Sequence, residues 1–310
     1  MHLLIPFASA LSDAVAHTAR DLALPHLSRW LAGTRAEPRI GVDEYSLTPP
    51  HERALAEAWG WRGADGSLPF AAHAAAADGI DVGGRAWGLL TPVHWHVGRD
   101  HITLADPAAL KLDDATSRTM FDAVRDLFDS EGYRLVYASF DRWYAAHDDF
   151  DGLPCASLDR VIGRNVDLWL PSHPQARLIR RLQNEVQMLL YNHPLNDERE
   201  ARGELPLNSF WLSGCGRYQP VAGGRDVQVV DTLRAPMLAE DWAAWADAWH
   251  AIDAGPVAEL HETMTSDPGG SLILCGERFA QRFDALPRSP WQRLAGVFKS
   301  VAPHTVLESL

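Results

Sequence analysis

Apolar runs of two kinds alternate along this chain, and their spacing predicts a mixture of strands and helices. Short unbroken runs stand near both ends. His2 to Phe7 and Ser271 to Cys275 each read as a strand buried on both faces, because consecutive apolar residues leave neither face for solvent. Longer stretches between them carry helical spacing. Ala8 to Trp30 places Leu11, Val15, Leu22, Leu27 and Trp30 on one side, with an interruption at Pro25. Pro49, Pro50 and Arg53 lead into a helix through Leu55 and Trp59, and Ala71 to Ala77 is an alanine-rich helix ending at Gly79. Ser117 caps a helix through Met120, Phe121, Val124, Leu127 and Phe128. Ser172-His173-Pro174 opens a long helix whose Leu178, Leu182, Val186, Leu189 and Leu190 face a core. Glu240 to Ile252 aligns Trp242, Trp245, Trp249 and Ile252 in one stripe, and the tail from Pro290 adds an amphipathic helix with Trp291, Leu294 and Phe298.

The strands divide the chain. Trp87 to Val97 and His101 to Ala105 read as a hairpin around a Gly-Arg-Asp turn, and Tyr133 to Phe140 with Asp141 to Ala145 as a second pair. From about Gly152 strands alternate with helices: a short helix over Ala156 to Gly163, strands at Asn165 to Leu170 and Val227 to Val230, and between them Leu205 to Gly216. The predicted class is α/β, a sheet flanked by helices with an antiparallel, hairpin-rich N-terminal half. The expected organisation is one large unit over 1–310, subdivided into a hairpin-rich 1–150 and an α/β 151–310.

Composition narrows the function classes. With 310 residues, 46% hydrophobic and 22% charged, the chain has enough apolar material for a large core. A net charge of −13 disfavours nucleic acid as the main partner. No apolar run reaches the roughly 18 residues of a membrane span. Three scattered cysteines, Cys155, Cys215 and Cys275, do not make a disulfide framework, and the first residues are too short and uncharged for a signal peptide, so a cytoplasmic location is expected. Twelve tryptophans are the compositional oddity, expected mostly in the core.

Leu205 to Gly216 carries the candidate chemistry. Pro206 can open a strand, Phe210-Trp211-Leu212 is its buried run, and Ser213-Gly214-Cys215-Gly216 reads as a glycine-bounded turn whose N–H groups can cradle an anion. The predicted ligand-binding set is Asn208, Ser209, Ser213, Gly214 and Gly216, joined by Asn196 and Arg199 from the polar segment before the strand. Arginine there suits a carboxylate or phosphate. The same residues also read as a plain turn after a core strand. His94 and His96 fall on one strand face with His101 on the partner strand, a weaker candidate set for zinc or another transition metal.

Asn208-Ser-Phe-Trp-Leu-Ser-Gly-Cys-Gly216 resembles the Asn-x-x-x-Leu-x-Gly-x-Gly stretch of archaeal-type cofactor-independent phosphoglycerate mutases, of the alkaline phosphatase superfamily. Ser271-Leu-Ile-Leu-Cys-Gly-Glu-Arg278 looks like that superfamily's late strand, which ends in Gly-Asp-His. Nearly the full length, including the Met-His-Leu-Leu-Ile-Pro-Phe-Ala start and Arg181-Leu-Gln-Asn-Glu-Val-Gln-Met-Leu-Leu-Tyr191, is similar to a bacterial family named regulatory protein RpfE and often labelled phosphoglycerate mutase. The resemblance implies an alkaline-phosphatase-like sheet. It also implies two divalent metals, manganese or zinc, and a serine nucleophile. The ligand positions depart from it: no aspartate follows the first strand, and Glu277-Arg278 stands where Asp-His is expected, with an arginine that cannot bind metal. The expected function is a degenerate mutase-like protein, without two-metal catalysis and with no cofactor, that binds a small anionic metabolite or a protein partner in a regulatory role. Two alternatives stand beside it. One is an active metal-dependent phosphomutase or phosphatase using His94, His96 or Asp231. The other is a tryptophan-rich interaction module.

Overall fold

Leu3, Leu4 and Ile5 are all buried, as a run with no polar alternation requires, and they place the first strand inside a sheet. The structure is a computed structural model that describes residues 1–222, 226–263, 269–286 and 301–310. The strands, in chain order, are β1 (His2–Ile5), β2 (Thr34–Ala36), β3 (Ile40–Gly41), β4 (Ala86–Val93), β5 (Trp95–Val97), β6 (Ile102–Leu104), β7 (Arg134–Ser139), β8 (Arg142–Ala146), β9 (Ser209–Arg217), β10 (Val227–Val229), β11 (Ser271–Cys275) and β12 (Phe279–Ala285). The helices are α1 (Asp13–Asp21), α2 (Pro25–Leu31), α3 (Pro50–Ala58), α4 (Phe70–Ala77), α5 (Asp114–Ser130), α6 (Leu158–Val161), α7 (Arg177–Tyr191), α8 (Pro194–Ala201), α9 (Arg234–Leu238), α10 (Trp242–Ile252), α11 (Ala258–Thr263) and α12 (Pro303–Leu307).

Two compact units share the chain. The first comprises Met1–Glu44, Pro49–Gly60 and Val221–Leu310. Its sheet runs β10-β1-β11-β12-β2, with β3 also on β12; β1 is parallel to β10 and β11, and β12 turns back antiparallel. Leu3, Ile5, Leu272, Leu274 and Phe283 pack with Val15, Leu27, Trp30, Trp245 and Trp249 into one core. Strand alternation sends Leu4, Ile273, Cys275 and Ala280 into a smaller cluster with Ala54 of α3. Asp253 substitutes for the cap that α2 lacks: its carboxylate accepts the N–H groups of His26 (3.1 Å) and Leu27 (2.7 Å).

The second unit, Tyr45–Thr48 with Trp61–Pro220, holds an antiparallel sheet in the order β7-β8-β4-β9. Ala71, Ala72 and Ala75 of α4 pack with Trp87, Tyr144 and Ala146. A larger cluster combines Leu90, Trp143, Phe210 and Leu212 of the sheet with Phe121, Val124, Phe128, Leu182 and Val186 of α5 and α7.

Several expectations change on folding. β4 pairs with β9 across the expected boundary at residue 150, so the antiparallel sheet does not end there. The stretch from Ala8 to Trp30 forms two helices, and Pro25 opens the second, where its missing N–H costs nothing. Ser117 lies inside α5. Asp113 is the cap, accepting from Thr116 N at 2.7 Å, while the Ser117 hydroxyl donates to Phe140 O and accepts from Trp143 Nε1. Asn165 to Leu170 is not a strand: Asn165 caps a short 3-10 turn through a bond from Asp167 N, and a local side-chain acceptor competes with a ladder. His173, not Ser172, caps the turn that precedes α7. The helix expected from Pro290 lies outside the described residues.

Candidate functional site

Ser213-Gly214-Cys215-Gly216 is not a turn. β9 continues through it to Arg217, antiparallel to β4, with an irregularity opposite Trp87 and Leu89. Gly214 has φ of +65°, and a Cβ there would stand 2.7 Å from Ala71 N, so this glycine admits the first turn of α4 against the sheet. Cys215 is fully buried with its Sγ 3.6 Å from Cys155 Sγ, and burial holds its thiol well above the usual range.

The polar residues of the expected anion site bind protein groups. Asn208 brackets Trp95, accepting its N–H at 2.7 Å and donating to its carbonyl at 2.9 Å. Asn196 donates to Leu190 O and Leu207 O and accepts from Leu207 N. Arg199 is 1% exposed; it donates to Leu205 O at 2.9 Å and to Leu110 O, and pairs with Glu204 at 3.3 Å. Ser209 accepts from Gln187 Nε2 at 3.2 Å, and Ser213 is buried in mid-strand. Asn196 and Arg199 reach residues 205 and 207, and Ser213 lies about 20 Å further along an extended chain. They therefore do not converge on Ser213.

The histidine hairpin forms as β5 and β6, but its imidazoles diverge in environment. His94 precedes β5 and its Nδ1 is 2.9 Å from Pro206 O, while His96 and His101 are exposed. The His94 and His96 ring centres are 6.3 Å apart. Burial lowers the His94 pKa, which favours neutral imidazole. Among the described residues no group of three or more His, Cys, Asp or Glu side chains is placed to hold a metal ion. At the expected late-strand position, Glu277 accepts the N–H of Leu11 at 2.9 Å, and the main-chain N–H groups of Arg278 and Phe279 donate to Leu310 O.

A concave site is present elsewhere, within the first unit. α3 stops at Ala58 and covers only part of one sheet face. Beside its C-terminal half lies a cavity of about 480 Å³, in the range of small-molecule sites. The floor comes from the starts of neighbouring strands: His2 of β1, Val227 of β10, and Ser271 and Ile273 of β11, with Arg282 of β12 opposite Ile273. Glu57, Ala58 and Gly60 form one wall and Glu37, Pro38 and Ile40 another. His2 Nδ1 and Ser271 Oγ are hydrogen-bonded at 2.8 Å. Arg282 binds Asp284 through Nη2 at 2.7 Å, but its buried Nε has no hydrogen-bond partner among the described residues. Glu57 stands on the rim. Although solvent reaches its side chain, the surrounding wall removes enough water to raise its pKa, while Arg53 and Arg282 act in the opposite direction.

None of this was marked by a motif. His2, Glu57, Ser271 and Arg282 are scattered across the sequence, and the expectation that ligands bind beyond the carboxyl ends of parallel strands points to the opposite end of this sheet. The one legible sign is polarity at the edges of the most apolar strands, where His2 and Ser271 are register partners.

No family model matches the chain, and no curated protein matches it. Solved structures that resemble it over most of its length include the following two. A cofactor-independent phosphoglycerate mutase from Thermoplasma acidophilum DSM 1728 has 14% identity and a TM-score of 0.38, covering 91% of this chain and 88% of that one. The PH0037 protein from Pyrococcus horikoshii has 13% identity and a TM-score of 0.45, covering 92% and 87%. The chain thus resembles a cofactor-independent phosphoglycerate mutase distantly, and no activity follows from that likeness.

Proposed function

We propose that the protein binds a small anionic metabolite in the cavity beside α3. The observation that carries this reading is the Arg282 side chain, 34% exposed, which brings a fixed positive charge to the wall of an otherwise formed pocket. A guanidinium in a cavity wall suits a carboxylate or phosphate oxygen. The binding role is that expected from the sequence, moved from the glycine strand to the first unit. The tryptophan-rich interaction reading has less support, since nine of the eleven tryptophans among the described residues are buried.

The test is thermal denaturation of the full chain against a panel of carboxylated and phosphorylated metabolites. A ligand at a hundred times its Kd stabilises by about 2.7 kcal/mol, a readily measured shift. Arg282→Gln is expected to abolish it. A panel that shifts nothing, or shifts wild type and Arg282→Gln equally, removes the reading.

A further inference from the structure

The cavity's charges point to a narrower ligand class. This step rests on the binding role proposed above. Most charged groups around the cavity already have partners: Glu37 pairs with Arg35 at 2.7 Å, and Arg282 uses Nη2 on Asp284. The His2 ring and the Ser271 hydroxyl bind each other. Two groups remain. One is the part of the Arg282 side chain that stays exposed in the cavity wall, a fixed positive charge with one edge on Asp284. The other is the Glu57 carboxyl, which lines the same cavity and feels the charges of Arg53 and, more weakly, Arg282, yet makes no direct ion pair among the described residues.

Opposite charges that share a cavity without touching leave a gap for a molecule bearing both signs. A simple anion at Arg282 faces the negative Glu57, and a simple amine at Glu57 faces Arg282. Either leaves one protein charge opposed, which specificity arguments count against it. A zwitterion matches both. We propose that the cavity selects a zwitterionic small molecule of amino-acid type, its carboxylate on Arg282 and its ammonium on Glu57, over Ala54, Ala58 and Ile273 as the apolar contacts.

Calorimetry on the full chain with matched triplets tests this. Each triplet keeps one side chain and removes either the amino or the carboxyl group: leucine, isocaproate and isoamylamine; phenylalanine, hydrocinnamate and phenethylamine; serine, hydracrylate and ethanolamine. The amino acid of at least one triplet is expected to bind about tenfold or more tighter than its acid and its amine, a difference of about 1.4 kcal/mol. Glu57→Gln is expected to erase the preference over the acid, and Arg282→Gln the preference over the amine. Circular dichroism of both variants, with Arg282→Lys as a conservative second, separates lost selectivity from lost folding. An acid that binds as tightly as its amino acid, in a manner that Arg282→Gln abolishes, overturns the zwitterion and leaves the anion site standing. Unchanged selectivity in Glu57→Gln also overturns it. Absence of any Arg282-dependent binding, by these compounds and by the wider anion panel, overturns both.

Discussion

Asn196 shows how a polar residue can look available in sequence and be fully engaged in the fold. Its amide satisfies two carbonyls and one N–H, all buried, and so fixes the approach to β9. Asn196→Ala leaves those groups without partners, and a loss of about 2–4 kcal/mol is expected in urea denaturation. Gly214 makes a parallel case in backbone geometry. Gly214→Ala combines a positive φ with a 2.7 Å clash against α4, so a cost above about 2 kcal/mol is expected. Gly152→Ala has φ of +72° but open space around its Cβ, so only about 1–2 kcal/mol is expected. Equal costs at the two positions would rule out the close approach of α4 as the reason for Gly214. His94 supplies the pH dependence. Burial lowers its folded-state pKa, so the neutral form is favoured on folding. That contribution is complete above the unfolded value near 6.5 and is lost as pH falls through it toward the folded value. Stability is therefore expected to fall on acidification through this window, and His94→Gln to flatten that part of the profile.

At the scale of elements, apolar spacing was readable and polar punctuation was not. Ser271 to Cys275 folds over the predicted residues, and the alanine-rich helix and the tryptophan stripe of α10 form where their spacing puts them; of the hairpin expected over Trp87 to Val97 and His101 to Ala105 only β5 and β6 form, because the first strand breaks at His94 and β4 pairs with β8 and β9 instead. These elements rest on local periodicity, which survives folding. Two of the failures share one cause, short polar side chains that have more than one local partner. Ser117 left its expected cap for Phe140 and Trp143, and Asn165 made a turn instead of a strand. The cavity was illegible for another reason: it exists because α3 ends at Ala58, before it has covered the sheet face. Where a helix stops relative to a sheet is tertiary information. The same geometry makes a prediction. Ala58 lines the cavity at the end of α3, apart from the Ala54 core contact. Ala58→Phe is expected to fill the space, change stability by no more than about 1 kcal/mol, and eliminate ligand-induced stabilisation. Ligand stabilisation that persists in this variant would place the binding site elsewhere.

Across the whole molecule the sequence order and the folding units disagree, and this has a measurable consequence. The first unit takes its sheet from both ends of the chain, β1 to β3 from one and β10 to β12 from the other. No single truncation can isolate it. The second unit is nearly continuous. Its short separate piece, Tyr45–Thr48, is tied in by Asp65, whose carboxylate accepts from Leu47 N and Thr48 N at 2.8 and 3.0 Å, and by Gly66 N, which donates to Thr48 Oγ1 at 2.8 Å. Ser157 N and Arg160 bond the same piece through Leu47 O and Ser46 Oγ. Trp87, Trp143, Tyr144, Phe121, Phe128 and Phe210 then supply a core that this stretch closes by itself. A fragment over residues 45–220 is accordingly expected to fold, with near-ultraviolet circular dichroism from its ordered aromatics. It should unfold in one urea transition with a slope of about 1–3 kcal/mol/M. A fragment over 1–44 has β1 without its partners β10 and β11 and is expected to stay unfolded. A 45–220 fragment that keeps its far-ultraviolet signal but loses the near-ultraviolet one, and binds a hydrophobic dye, would show that this core is not self-sufficient. A folded fragment would confine the ligand test to the first unit, because it lacks His2, Ser271 and Arg282 and should bind none of the triplets.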